Sequence, residues 1–475
     1  MTFKNRNHDN NHREKIPSAM NRNNRTDTML QGSIVRPILA FAIPVFWGNL
    51  FQQMYNLVDT IIVGKSLGTL ALAGVGSTTG LSFFTISLCN GLCNGFAVSA
   101  AQKYGANDKE ELRKYFGNAI LLVSTLVTLL TLAAVLACKP ILMMTKTPDN
   151  IFTYAYRYIF IILLGFPCTA FYNFLAAHLR AIGNSRTPVI ALVISSVINI
   201  GLDLLFILVF HLDTLGAAAA TVIAQFISGG YLLYYIRVKV PDLHITRQEL
   251  KISSDISKMQ LSTAFPMALQ GIVISFGILI VQTATNGMGA LYVAGSTAGN
   301  KLYGIMSAPI DALCQAMVPF SGQNYGAGNY ERIHKGLKKV MTMTWTVTTL
   351  LVLIAWLAGP LIMTLFVDAG EVEVIRYGHQ FLLYFVMGYG FLSIQMGFCN
   401  TLQGMGFAKY TVPSGILECV GRMVGAMLLT RILGYTGICL ALPLAWVFTS
   451  LYIVPVYFGC RRKLLSGINQ HTNLA

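Results

Sequence analysis

Charge is what this sequence has least of. Only 11% of its 475 residues are Asp, Glu, Lys or Arg, against about 25% in soluble domains. With 54% hydrophobic residues and a mean hydropathy of +0.59, the composition excludes a soluble globular chain and points to a polytopic membrane protein. Several other things are missing. The sequence contains no GxxxxGK[ST], no HExxH and no GxSxG, so ATP drive and hydrolase chemistry have no visible machinery; the chain is not read as an enzyme. Its nine cysteines form no CxxC or Cys/His spacing and read as small apolar core residues rather than metal ligands. No cleavable signal peptide is expected, because residues 1–33 are rich in Asn and Arg without an apolar run. That stretch is expected to be a disordered cytoplasmic tail.

What is present is a series of apolar segments. Twelve are long enough to span a bilayer, at roughly 37–60, 72–101, 115–138, 150–177, 188–210, 214–236, 260–284, 289–320, 340–366, 375–402, 411–431 and 436–459. Lys and Arg placement orients them. With the N-terminus inside, 26 of the 34 basic residues fall on the inner side, and five (Lys65, Lys139, Lys146, Arg376 and Arg431) on the outer. Arg157, Lys301 and Arg422 lie within spans. This split accounts for the net charge of +15, which therefore reflects topology rather than nucleic-acid binding.

The chain also repeats itself. QKYGAND at 102–108 returns as QNYGAGN at 323–329, and LGTLALAG at 67–74 returns as MGALYVAG at 288–295, both offset by 221. AIP at 42–44 returns as AFP at 264–266, and RAIGNSRTP at 180–188 has a looser echo in QGMGFAKYTVP at 403–413. Each half holds six spans, so both enter the membrane in the same sense. A two-fold axis along the membrane normal should then relate them, as in two-bundle transporters whose cleft holds the substrate. The expected division is a tail at 1–33, an N-terminal lobe at 34–240, a linker at 241–257, a C-terminal lobe at 258–463 and a tail at 464–475.

Against this apolar background the polar residues inside spans stand out. Gln52, Asn56 and Asp59 recur at i, i+4 and i+7 on the first span. Asn199 and Asp203 share a face of the fifth, and Thr221 and Gln225 begin the sixth. By the orientation above, all lie at similar outer depth within one half. A carboxylate in hydrocarbon costs at least ~2.5 kcal/mol, and intramembrane acids mark ion or proton pathways. Two close together in low dielectric cannot both stay ionised cheaply. The repeat does not copy them: Ile280 or Val281 stands against Asp59, and Val424 lies near the position of Asp203. The second half has Lys301, Asp311, Glu418 and Arg422, with Glu418 and Arg422 at i, i+4. These form either neutralised structural pairs or part of the pathway. Tyr158, Tyr172 and Tyr389, among other aromatic and Met residues, would suit flat apolar cations by stacking and cation–π contact, or serve simply as core.

The ordered set NLVDTIIVGKSLG, LALAGVG, AQKYGAND, LRAIGNSRTP and NIGLD, over Gly32 to Lys463, resembles the multidrug and toxic compound extrusion (MATE) transporters. The resemblance implies an all-α, V-shaped fold of twelve transmembrane helices in two six-helix bundles. It also implies antiport, with H⁺ or Na⁺ entering as an organic compound leaves. The family's N-lobe polar site maps onto Gln52, Asp59, Asn199, Asp203 and Thr221, and less directly onto Tyr158. Its other branch keeps acids in the seventh and tenth spans. Here Gln270, Gln282, His379, Gln380, Gln395 and Asn400 are all those spans offer, which favours N-lobe coupling, to H⁺ before Na⁺. The expected pathway residues are Asn56, Tyr158, Tyr172, Gln225, Tyr389 and Glu418. The expected partners are small organic substrates and membrane lipids, with no cofactor, metal or nucleic acid, for a monomer in the cell membrane with cytoplasmic termini. The alternative is a lipid-linked precursor flippase of similar fold, which should carry several free Arg or Lys to hold a pyrophosphate.

Overall fold

The computed structural model describes residues 28–472 apart from Lys146, Phe366 and Ala369. Most of the tail expected at 1–33, and the end of that expected at 464–475, lie outside the described residues. Sixteen α-helices run in chain order. Four correspond to one expected span each in the first half: α1 (Val35–Leu67), α4 (Lys109–Met144), α7 (Arg186–Leu204) and α8 (Asp213–Lys239). The second span is α2 (Thr69–Ser77) with α3 (Thr79–Gly105), and the fourth is α5 (Asp149–Leu164) with α6 (Phe166–Ala181). The second half supplies α9 (Ser254–Asn286), α10 (Ala290–Gln315) with α11 (Met317–Gly326), α12 (Tyr330–Met363) and α13 (Val372–Gly404). It ends with α14 (Val412–Met423), α15 (Thr430–Leu433) and α16 (Tyr435–Thr472). A π-helical turn follows α7 at 205–209, and another follows α14 at 424–429. The architecture is two six-helix bundles.

Eight of these helices are individually long and apolar enough to cross a membrane, and α5 with α6, bent by 46°, makes a ninth span. The three expected spans that fall short of that mark are instructive. The first, α1, is diluted by Asn49, Gln52, Gln53, Asn56 and Asp59; the eighth, α10, by Asn300, Lys301 and Asp311. The eleventh is cut into α14 and α15 by its π turn. α1 packs on α7 and on α10, and α14 on α9 and α16, so all three are covered by longer or more apolar helices. Polar composition does not mark every such helix, since α7 passes the mark while carrying Asn199 and Asp203.

The internal repeat is visible in the turns. Backbone positions with positive φ recur in register: Gly68 and Gly289, Asn107 and Gly328, Gly183 and Gly406, Asp213 and Gly434. At Gly68 and Gly289, with φ +84° and +107°, an L side chain would be strained, and glycine sits there for that reason. Asp108 starts α4 as an N-cap, its carboxylate accepting from Glu111 N at 3.1 Å.

The two bundles meet through small residues. A Cβ on Gly91 or Gly95 of α3 would fall 2.4 or 2.3 Å from the Cα of Ala268 or Ala264 of α9, so the backbones touch, as small-residue crossings in membranes allow. At the basic end the repeated QxYGA motifs interlock. Gln102 Nε2 donates to Gly404 O at 3.1 Å, and its counterpart Gln323 Nε2 donates to Ala181 O at 2.8 Å. Gly105 lies on the Gln323 carbonyl and Gly326 on that of Gln102. Above this lock a cavity of about 160 Å³ separates the bundles, lined by Asn94, Arg180, Gln315 and Asn400 among others. Two pseudo-symmetric hydrogen bonds thus cross the basic end, beside those of Asn324 and Arg332 to the Met29 carbonyl. Replacing both Gln102 and Gln323 by Ala is expected to loosen that end. In a cysteine-free background, Ala177→Cys should then label faster with an impermeant maleimide added from the basic side. Unchanged labelling would contradict the role given to this pair.

Candidate functional site

The site is assembled from α1, α5, α7 and α8, all in the first bundle. Helix α1 packs on α7 along an apolar line, and Val63, Ile207 and Ala217 form a small buried cluster joined by Tyr158. That packing turns the Asp59 face of α1 toward the Asn199–Asp203 face of α7. Asp203 is fully buried at the last turn before the π segment, and Asn199 is 1% exposed. π-Helical turns widen a helix locally and recur at functional sites.

The side chains converge. In the amide orientation that satisfies both ends of Asn199, its Nδ2 donates to Asp203 Oδ2 at 3.0 Å and to Tyr55 Oη at 3.3 Å, and its oxygen accepts from Thr221 N at 3.1 Å. Thr221 Oγ1 donates to Ala217 O at 3.1 Å and lies within hydrogen-bonding reach of the Tyr55 hydroxyl. The carboxyls of Asp59 and Asp203 are within hydrogen-bonding reach of each other, with Tyr158 beside both. Asp203 Oδ1 is buried with no N–H or O–H donor, and Gln225 Oε1 is likewise without a partner. No Lys or Arg forms an ion pair with either acid among the described residues. Two carboxyl groups can hydrogen-bond only if one carries a proton, so this arrangement asks for a proton or another small cation between them.

The sequence-derived candidates thus divide. Asp59, Asn199, Asp203, Thr221 and Tyr158 come together. Gln52 is half-buried on the same helix, and Asn56 is exposed beyond it. Tyr55 was missed, although at four residues before Asp59 and three after Gln52 it shares their helical face; a tyrosine in an apolar run simply carries less polarity signal than an acid.

Three expected pathway residues are engaged by protein groups in this structure. Tyr172 is buried and donates to Pro188 O at 3.2 Å, bracing α6 against the start of α7. Tyr389 is fully buried, its hydroxyl donating to Tyr303 O at 3.3 Å inside an aromatic cluster with Trp446. Glu418 is paired with Arg422 at 2.5 Å and accepts from Gln395 Nε2, while Arg422 also donates to Ile274 O at 3.0 Å. Of the remaining charges in the second bundle, Asp311 accepts from Ser307 Oγ at 3.2 Å and Lys301 is exposed.

The comparisons follow this geometry. A family model described as MatE matches the chain twice, over residues 44–205 and 266–428, so the match covers both bundles. The chain belongs to the MatE family. Its members are transporters rather than enzymes. The chain is 26% identical over 422 residues to a probable multidrug resistance protein, YpnP, of Bacillus subtilis, covering 88% of this chain and 94% of that protein. It is 23% identical over 432 residues to an FAD transporter of Shewanella oneidensis, covering 88% and 92%. Its fold is shared with a MATE transporter crystallised in complex with MaL6, at a TM-score of 0.86, 22% identity and coverage of 92% and 98%.

The Glu418–Arg422 pair makes a stability prediction for this MATE protein. Breaking a buried ion pair from one side strands a charge, at about 3–5 kcal/mol. Glu418→Gln should therefore lower the thermal unfolding midpoint of the purified protein sharply. Glu418→Gln with Arg422→Met should recover most of the loss. A double variant no more stable than the single one would show that the pair is not self-neutralising.

Proposed function

We propose that this transporter is a secondary antiporter of the cell membrane. It exports organic, cationic or amphipathic compounds in exchange for protons that bind between Asp59 and Asp203. Both termini are cytoplasmic, the protein works as a monomer, and residues 34–240 and 258–463 act as the two lobes around linker 241–257. The observation that carries the reading is the contact of two intramembrane carboxyls with no basic partner, held by Asn199, Tyr55 and Thr221.

The chemistry runs as follows. With no cation bound, the pair holds excess negative charge in low dielectric and favours a solvated, open cleft. A proton entering from the outer side neutralises one carboxyl and lets the two hydrogen-bond across α1 and α7. The lobes can then close around a dry site and release the organic compound. The two ligands compete for the same excess charge, and linkage makes that competition reciprocal. Names of relatives that denote multidrug resistance support export of organic compounds.

A lipid-linked precursor flippase fits less well. Arg422 is neutralised by Glu418, Arg157 faces Asp213 at 3.4 Å, and Arg180 is the one basic residue lining the cavity between the bundles, where a pyrophosphate clamp would call for several.

The test is reconstitution into liposomes with an imposed ΔpH or ΔpNa, following ethidium movement by fluorescence. Wild type should respond to ΔpH. Asp203→Asn and Asp59→Asn should insert normally and lose the response. Normal ΔpH-driven efflux by Asp203→Asn would overturn the reading, and a response to ΔpNa alone would replace the proton by sodium.

A further inference from the structure

A cavity of about 760 Å³ lies in the first bundle, far from the acid pair and toward the basic end. Its floor is α6, through Ala170, Phe174 and Leu175, and its walls are α4, through Phe116, Val123 and Val127, and α8, through Leu233 and Ile236. Those floor and wall residues are buried or nearly so, whereas Ser124, Thr128, Pro167 and Arg237 on the rim are exposed. Helix α4 packs on α6 and α6 packs on α8, but α4 and α8 are not packed on each other. The cavity is therefore a groove open sideways between two helices, near the basic end of the first bundle.

Its basic-side end is closed by the linker between the lobes. Leu243, His244, Ile245 and Leu250 lie over it. The linker is tied down at both ends of that segment. Arg113 donates to Pro241 O at 3.4 Å, Ser253 N donates to Asn118 Oδ1 at 2.8 Å, and Gly117 leaves room for the Glu249 carbonyl. Arg237 stands at the junction of groove and linker, with Arg113, Lys239 and Arg247 nearby in sequence or contact; Glu249 is the acid there, and Asp242 is already paired with Lys109. Apolar depth followed by a cationic mouth is the polarity order of a phospholipid in the basic-side leaflet.

The second bundle shows that the groove is not forced by the fold. At the corresponding place Met341 fills the space over Gly397, and Phe398 packs edge-on against Tyr457 with ring centroids 5.1 Å apart. Phe458, 221 residues on, occupies the position of Arg237. The second half thus fills the inner part of the groove with Met341 and Phe398, and what remains open beside Phe458 is a cavity of about 410 Å³ toward the chain's C-terminal end, lined also by Arg461 and Arg462.

We infer that the groove between α4, α6 and α8 binds one anionic phospholipid from the basic-side leaflet, an acyl chain in the groove and the headgroup on Arg237. The bound lipid then underlies the linker and holds it on the first bundle. This inference rests on the membrane orientation and not on the antiport reading, so its failure would leave the acid pair untouched.

The test is native mass spectrometry of the full-length protein in detergent, titrated with phosphatidylglycerol or phosphatidylcholine of equal chain length. Wild type should retain one phosphatidylglycerol about fivefold more tightly than phosphatidylcholine, the effect of roughly one basic contact. Arg237→Gln should abolish that preference while still binding both lipids. Ser124→Trp, on the exposed rim, should displace both. Circular dichroism of each variant establishes that it is folded. Equal retention of the two lipids by wild type, or a preference that survives in both variants, would overturn the assignment.

Discussion

Placing a carboxylate in hydrocarbon costs at least ~2.5 kcal/mol, and this chain places two in one bundle with no ion-paired Lys or Arg among the described residues. Several features of the first bundle bear on that contact. Val63, Ile207 and Ala217 fix the approach of α1 to α7. The π turn after Asp203 sets its side chain at the end of a regular helix, and Asn199 fills the space between Asp203, Tyr55 and Thr221. An isolated buried acid would be silenced by protonation. Two in contact leave one negative charge that an incoming cation can satisfy and then vacate, which is what an exchange cycle requires.

The second bundle solves the same electrostatic problem differently. Glu418 faces Arg422 and Gln395, so its charge is cancelled within one helix turn and its polar atoms are bound. Gene duplication reproduced the frame down to the positive-φ turns and the paired glutamines at the basic end, but the acids remained in one copy. The shared motifs join the lobes at the basic end, and the unshared acids are the ones to which we assign the exchanged ion. The groove under the linker is a second place where the halves parted, deep in the first bundle and filled by Met341 and Phe398 in the second.

Much of this was legible in the sequence because membrane chains obey few rules strictly. The span count comes from where charge is absent, and the repeat from motifs that return at one offset. The acid pair was legible because Asp59 and Asp203 break apolar runs at matching depth. Other features were not. Tyr55 hides because a hydroxyl on an aromatic ring barely alters hydropathy. Tyr172 and Tyr389 read as pathway aromatics, yet their hydroxyls are taken by the carbonyls of Pro188 and Tyr303, and no periodicity reveals which carbonyl a tyrosine will meet. Glu418 carries two readings from its i, i+4 spacing with Arg422, and only the structure shows that the two side chains meet and are buried. The groove was invisible because it is made by α4 and α8 failing to touch, and sequence pattern records contacts far better than gaps.

The central claim is that one cation site between Asp59 and Asp203 competes with the organic substrate. The most direct measurement is the count of protons released into weakly buffered solution, read by a pH-sensitive dye, when substrate such as ethidium is added to detergent-solubilised protein. The account predicts proton release by the wild type that saturates with substrate, and none from variants carrying Asn at position 59 or 203. Equal release by wild type and both variants would place the exchanged proton elsewhere and contradict the account.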